Sequence, residues 1–202
     1  AIRPALLFQF GFGELWLGLL DDAQAHLGEA LQQAERTGDL NLQARCLTYL
    51  TILARRLARQ DDVAAYAERA FAVAESIGMR EYMATARANR AWLAWRRGDL
   101  AAVEAQGRAA LALWSELPPG HGSTVFQWTA LWPLLAAAMR TGDLAAAERH
   151  TAALLEPPQQ RLDAHLAGWL ESALVAFRRG EPTEARRCLA RGVASAITMN
   201  LF

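Results

Sequence analysis

Three stretches of this chain repeat one pattern: Arg, any residue or a second Arg, Gly, an acidic residue, then a helix-forming run. They read RRGDLAAVEAQGRAAL over 96–111, RTGDLAAAERHTAAL over 140–154 and RRGEPTEARRCLARG over 178–192. Gly18, Gly98, Gly142 and Gly180 hold the same place, and Ala58 fills it in a degenerate second copy. Successive offsets are 40, 40, 44 and 38 residues. The helix ends ALQQAERTG (30–38) and AFAVAESIG (70–78) lie 40 apart without a gap, and AALALWSEL (109–117) continues the register. A period near 40 residues predicts a solenoid, in which each unit buries its apolar face only against its neighbours.

Each unit reads as helix–turn–helix. Gly142 suits the left-handed residue that ends one helix, and Asp143 suits the N-cap of the next. In the last unit Glu181-Pro182 does the same work, with Pro at the first helical position. Small residues recur at matched sites: Gly11, Thr51, Ala91 and Ala173, then Ala54, Ala94, Ala138 and Ala176 in first helices. In second helices Ala23, Val63, Val103, Ala147 and Ala185 align. Small side chains in fixed phase let paired helices approach closely. The expected fold is all-α, with about five antiparallel helix pairs over 4–38, 41–79, 81–117, 123–157 and 161–200 in one repeat domain spanning 1–202. The segment PPGHG (118–122) is the strongest breaker and marks a loop.

The 21 basic and 21 acidic residues cancel, so no bulk charge points to nucleic acid or to an anionic membrane. Every basic residue is Arg. Cys46 and Cys188 are isolated, in no C-x-x-C or Cys/His cluster, which argues against zinc and against a disulfide framework and favours a reducing cytoplasm. The longest apolar runs, such as ALWPLLAAAM (130–139), are too short to span a bilayer. Ala1 stands where an initiator Met would, and the opening AIRPALLFQFGFG and closing ASAITMNLF are both apolar. Solenoids need polar caps at their ends. The expectation is therefore a piece of a longer chain, or a surface for homo-oligomerisation at the apolar termini.

Small-residue spacing, the Gly-Asp turn and the helix pairing resemble tetratricopeptide repeats, in a longer version than the usual 34 residues. More narrowly, FQWTALWPLLAAAMRTGDLAAAERHTAALLEPPQQRL (126–162), with the AERTGD and AESIGM helix ends, resembles the helical tails of large bacterial signal-transduction ATPases and of maltose-regulator- and LuxR-type transcriptional activators. The aromatic that the shorter repeat carries near the end of its first helix is absent: Ala stands there in four copies and Glu14 in the first. The resemblance implies a right-handed superhelix whose first helices line a concave groove. Carried over residue by residue, that face selects Phe8, Gln9 and Phe12, then Arg45, Tyr49 and Arg56, then Asn89, Trp92 and Arg96. Trp132, Arg140, Leu170 and Glu171 follow. The binding set is Arg45, Tyr49, Asn89, Trp92, Arg96 and Trp132, where aromatic bodies, forked Arg donors and an amide suit a protein, a peptide or a small effector. Trp92, Trp95, Trp114, Trp128 and Trp132 lie close in sequence. Exposed together they form a hot spot; at helical spacing they equally suit a core.

Catalytic chemistry finds no foothold. His26, His121, His150 and His165 form no metal-ligand spacing, and no acid–base set converges. Without Lys there is no P-loop, and Gly11 in FGFGELWLG (10–18) is better read as a helix-packing glycine. No cofactor is implied. The Arg pairs at 55–56, 96–97 and 178–179 fall at the ends of first helices, where the macrodipole favours cations by about 0.3–1 kcal/mol, rather than on a DNA-reading helix. The expectation is a non-enzymatic binding module of a bacterial regulator or signalling ATPase. The alternative is a standalone scaffold that self-associates through its apolar ends.

Overall fold

The structure, a computed structural model, describes residues 2–118, 126–157, 159, 162–199 and 201. The PPGHG loop with His121 thus lies largely outside the described residues. Ten helices follow one another: α1 (Ile2–Leu17), α2 (Leu20–Thr37), α3 (Leu40–Arg56), α4 (Gln60–Ser76) and α5 (Arg80–Arg97). Then come α6 (Leu100–Ser115), α7 (Trp128–Thr141), α8 (Leu144–Leu154), α9 (Ala164–Arg178) and α10 (Pro182–Thr198). No strand occurs among the described residues. The fold is an all-α helical-repeat solenoid.

Turn chemistry sets the helix boundaries. Gly18, Gly98, Gly142 and Gly180 all have positive φ, between 70° and 82°. Gly38 and Gly78 do the same between successive pairs. Asp39, Asp99 and Asp143 accept from the backbone N–H three residues on, and Asp163 accepts from those of His165 and Leu166. These bonds satisfy donors that a helix start leaves free. Glu181 departs from the expectation. Its side chain caps nothing, and Pro182 alone marks the start of α10.

Packing follows from the small residues. Ala23, Val63, Val103, Ala147 and Ala185 are all fully buried. Each second helix packs on its own first helix and on the first helix of the next pair. First helices also pack on one another, α1 on α3, α3 on α5 and α5 on α7, and so make a continuous face. The last pair breaks this rule: α10, not α9, makes the main contact with α7. The core cluster around Trp92, Trp128 and Trp132 accordingly includes Cys188, Leu189 and Ala196 of α10. No described helix is long and apolar enough to cross a membrane.

Candidate functional site

The face of the first helices carries arginines laid on aromatic rings. On α1 and α3, Tyr49 packs edge-on against Phe8, Phe12 and Phe126, at centroid distances of 5.5, 5.1 and 5.9 Å. The half-buried Arg45 guanidinium sits 4.2 Å above the Phe8 ring. Two turns past Tyr49, Arg56 lies over Trp16 at 5.1 Å and donates to the Leu15 carbonyl at 2.7 Å. Arg96 lies over Trp92 at 5.8 Å and Arg140 over Trp95 at 5.7 Å. Stacking of this kind lets a guanidinium shed water on one side while its edge stays free to donate.

Of the six residues chosen from sequence, Arg45 and Tyr49 come together on α3, and Arg96 is exposed at the end of α5. The other three are placed differently. Trp92 and Trp132 have no exposed surface and Asn89 is 1% exposed. An exposed tryptophan platform is therefore corrected to a core: Ala-rich helix pairs leave space between them that only large side chains fill. Trp114 and Trp128 are buried likewise. Leu170, selected with them, is also fully buried. Tyr49 keeps 8% exposure, and burial pushes its phenol pKa up.

The residue that sequence reasoning missed is Arg55. It was expected at a helix end, where the macrodipole favours a cation, and it is there but only 1% exposed. Its guanidinium lies 5.6 Å from the Trp92 ring and 5.4 Å from the Trp128 ring. Nη1 donates to Asn89 Oδ1 at 3.3 Å and to the Thr129 carbonyl at 3.1 Å, and Nη2 donates to the Leu201 carbonyl at 2.8 Å. Asn89 is itself held by donation to the Thr85 carbonyl. No carboxylate bonds Arg55 among the described residues, and burial pulls its pKa down to about 9. At neutral pH it is a buried cation balanced by neutral oxygens and ring faces, an arrangement that is costly unless every donor is used. A signal was present. With the offsets of 40, 40, 44 and 38, its column reads Leu15, Arg55, Trp95, Met139 and Phe177, so an Arg replaces a bulky apolar residue in one copy only.

No family model matches the chain, and no curated protein matches it. The chemistry of this face is therefore drawn from its own residues. Beside Arg55 lies a cavity of about 190 Å³ lined by Arg56, Trp128, Trp132, Leu162, Asp163, Met199 and Leu201. A wider depression between α7 and α10 is lined by Trp95, Met139, Arg140, Arg186, Val193 and Ile197. Both combine apolar side chains with arginine donors, and the first also carries the Asp163 carboxylate.

The histidines do not converge. His26 bonds Glu14 at 2.7 Å, His150 is half-buried and His165 is exposed. Among the described residues no three His, Cys, Asp or Glu side chains are placed to hold a metal ion. Cys46 and Cys188 are free and buried, and burial pushes the Cys46 thiol up to about 12, far from a reactive thiolate.

Proposed function

We propose that this chain is a non-enzymatic binding module of tetratricopeptide-like repeats. It holds a protein segment, a peptide or a small effector against the face of its first helices. The observation that carries the reading is the series of arginines stacked on aromatic rings along that face, Arg45 on Phe8, Arg56 on Trp16 and Arg96 on Trp92. Such pairs hold guanidinium donors already oriented, so little entropy is lost when a ligand is met. The resemblance of residues 126–162 to the tails of bacterial signalling ATPases and transcriptional activators extends the reading. In that setting the module acts in the cytoplasm, within a larger regulator.

Intrinsic tryptophan fluorescence, titrated against a peptide library, tests it. A ligand found this way is expected to bind about ten-fold more weakly to Arg96→Ala or Arg45→Ala, a loss of roughly 1.4 kcal/mol. A ligand indifferent to both, yet lost on Arg69→Ala of α4, would place binding on the opposite face and overturn the reading.

A second reading rests on α1 and the turn after it. Leu6, Phe10, Leu17 and Leu19 are 50%, 59%, 78% and 50% exposed. Apolar groups of that size grouped at one end of a solenoid suit a scaffold that self-associates. A mass by light scattering that doubles with concentration, and falls to the monomer in Phe10→Glu, would favour it.

A further inference from the structure

The turn that closes α10 reaches the first helices. The Leu201 amide donates to the Ala196 carbonyl at 3.0 Å, and the Leu201 carbonyl receives the Arg55 Nη2 proton at 2.8 Å. That bond joins residues 146 positions apart. The Leu201 side chain packs against the core cluster that holds Trp92, Trp128 and Trp132, and Met199 and Leu201 together close one side of the 190 Å³ cavity. The face expected to hold a ligand already holds a peptide segment, and the segment is the chain's own.

The chemistry of the centre says what it accepts. Arg55 Nε and the indole N–H groups of Trp92 and Trp128 have no hydrogen-bond partner among the described residues. Asn89 and the Thr129 carbonyl fix Nη1, which leaves Nη2 as the donor that faces the incoming segment. The centre thus has donors in excess, and the cavity beside it is walled by apolar side chains with Arg56 and Asp163 among them. An apolar peptide segment with a carbonyl left free matches it, because it offers an acceptor and brings no charge that needs its own partner, as the turn that ends α10 does through Leu201. Arg55 gains from any acceptor it finds, since a bare buried guanidinium donor costs more than the bond returns.

We propose that Arg55 is the recognition centre of this face for an apolar peptide segment, bound through a main-chain carbonyl, with Met199 and Leu201 as parts of its resident occupant. The proposal deepens the functional reading, on which it rests, by naming the ligand chemistry and the group that reads it. Asn89 is a positioning residue: it orients the guanidinium and touches no ligand. A partner segment competes with a tethered occupant, whose effective concentration is high, so its apparent affinity falls by the fraction of open sites.

Two experiments test this. Hydrogen exchange on the intact chain reads the occupant directly. The amides of Met199 and Leu201 are expected to exchange about ten-fold more slowly than in a free peptide SAITMNLF, and to lose that protection in Arg55→Met while the rest of α10 keeps its own. Exchange at the free-peptide rate in the unaltered chain overturns the proposal, as does protection that Arg55→Met leaves unchanged. The second uses a chain stopped after Thr198, its helicity checked by circular dichroism, and a fluorescein-labelled peptide SAITMNLF. The shortened chain is expected to bind the peptide about ten-fold more tightly than the intact chain does. Equal binding, or none, overturns the proposal, and protection that disappears on dilution assigns the seat to a second copy's segment instead. The exchange experiment needs no partner, so it can fail while the fluorescence titration above succeeds, and the reverse.

Discussion

Arg55 Nη1 lies 3.1 Å from the carbonyl of Thr129, the carbonyl that Pro133 leaves without its helical partner. In α7 the residue four places after Thr129 is Pro133, which has no N–H to give. Thr129 is fully buried, so its oxygen needs a donor from elsewhere, and α3 supplies it. The proline on one helix and the buried arginine on another are a matched pair. Arg55→Met alone is expected to cost about 1–3 kcal/mol, because it orphans the Thr129 oxygen and the Asn89 amide oxygen. In a Pro133→Ala background the helix satisfies Thr129 by itself, and the cost of Arg55→Met is expected to fall by about 1 kcal/mol. Urea unfolding of the four chains of this cycle measures it, and additivity within experimental error would show that the two residues are unrelated.

Gly107 on α6 meets Leu134 on α7 with no space between them. A Cβ at Gly107 would lie 2.7 Å from Leu134 Cγ, and all three nearest atoms belong to that leucine's branched end. Gly107→Ala should therefore destabilise by about 1–3 kcal/mol through overpacking, although alanine favours helix. Gly28→Ala on α2 is the contrasting case. Nothing lies within 4 Å of its added Cβ, so a gain of up to about 1 kcal/mol is expected. Opposite shifts in thermal midpoint would confirm that the close approach of α6 and α7, and not glycine as such, decides the sign.

Ala58 has φ 55°, the one positive φ at a residue other than glycine among the described residues. It stands in the turn that the other copies build with Gly18, Gly98, Gly142 and Gly180. An L-residue there carries a steric cost of roughly 1–2 kcal/mol. Ala58→Gly relieves it and loosens the unfolded chain, so the net gain should be about 0.5–1 kcal/mol. A lower urea midpoint in the variant would mean that the Ala58 side chain contributes packing that outweighs the strain.

His150 on α8 gives the chain an acid sensitivity. Burial lowers its pKa below the ordinary 6.5, against the pull of Glu104, with Arg149 and Arg108 adding to the lowering. The unfolded chain then takes up the proton first. Stability conferred by the neutral imidazole is present above pH 6.5 and is lost as pH falls from there through the folded value. His150→Gln should flatten the thermal midpoint between pH 7 and pH 5 relative to the parent chain. Equal slopes would show that other groups set the acid limb.

Much of the repeat was legible because its signals are local. The glycine at each turn, the aspartate after it and the small residue at fixed phase act over four or five positions, and a helix pair needs little else. The matched columns Ala23, Val63, Val103, Ala147 and Ala185 could be aligned by eye, and all five are buried. Exposure was harder to read. Trp92 and Trp132 share a helical phase with residues that face the groove, and only their distance from solvent, set by neighbouring helices, separates core from surface. Arg55 could have been noticed as the odd residue in the column Leu15, Trp95, Met139 and Phe177. Its partners lie 34, 74 and 146 residues away, so nothing near it in sequence explains it.

The sequence by itself therefore determined the helices, the aspartate caps, the pairing and the period of the array, since each depends on short-range sterics and hydrogen bonding. Tertiary structure alone decided that α10 packs on α7, that Leu201 reaches Arg55 of α3 and that Arg55 is sealed between two indoles. The physical reason is range. Burial and desolvation are properties of the whole packed array, and a cation becomes a recognition centre only when distant segments have removed its water.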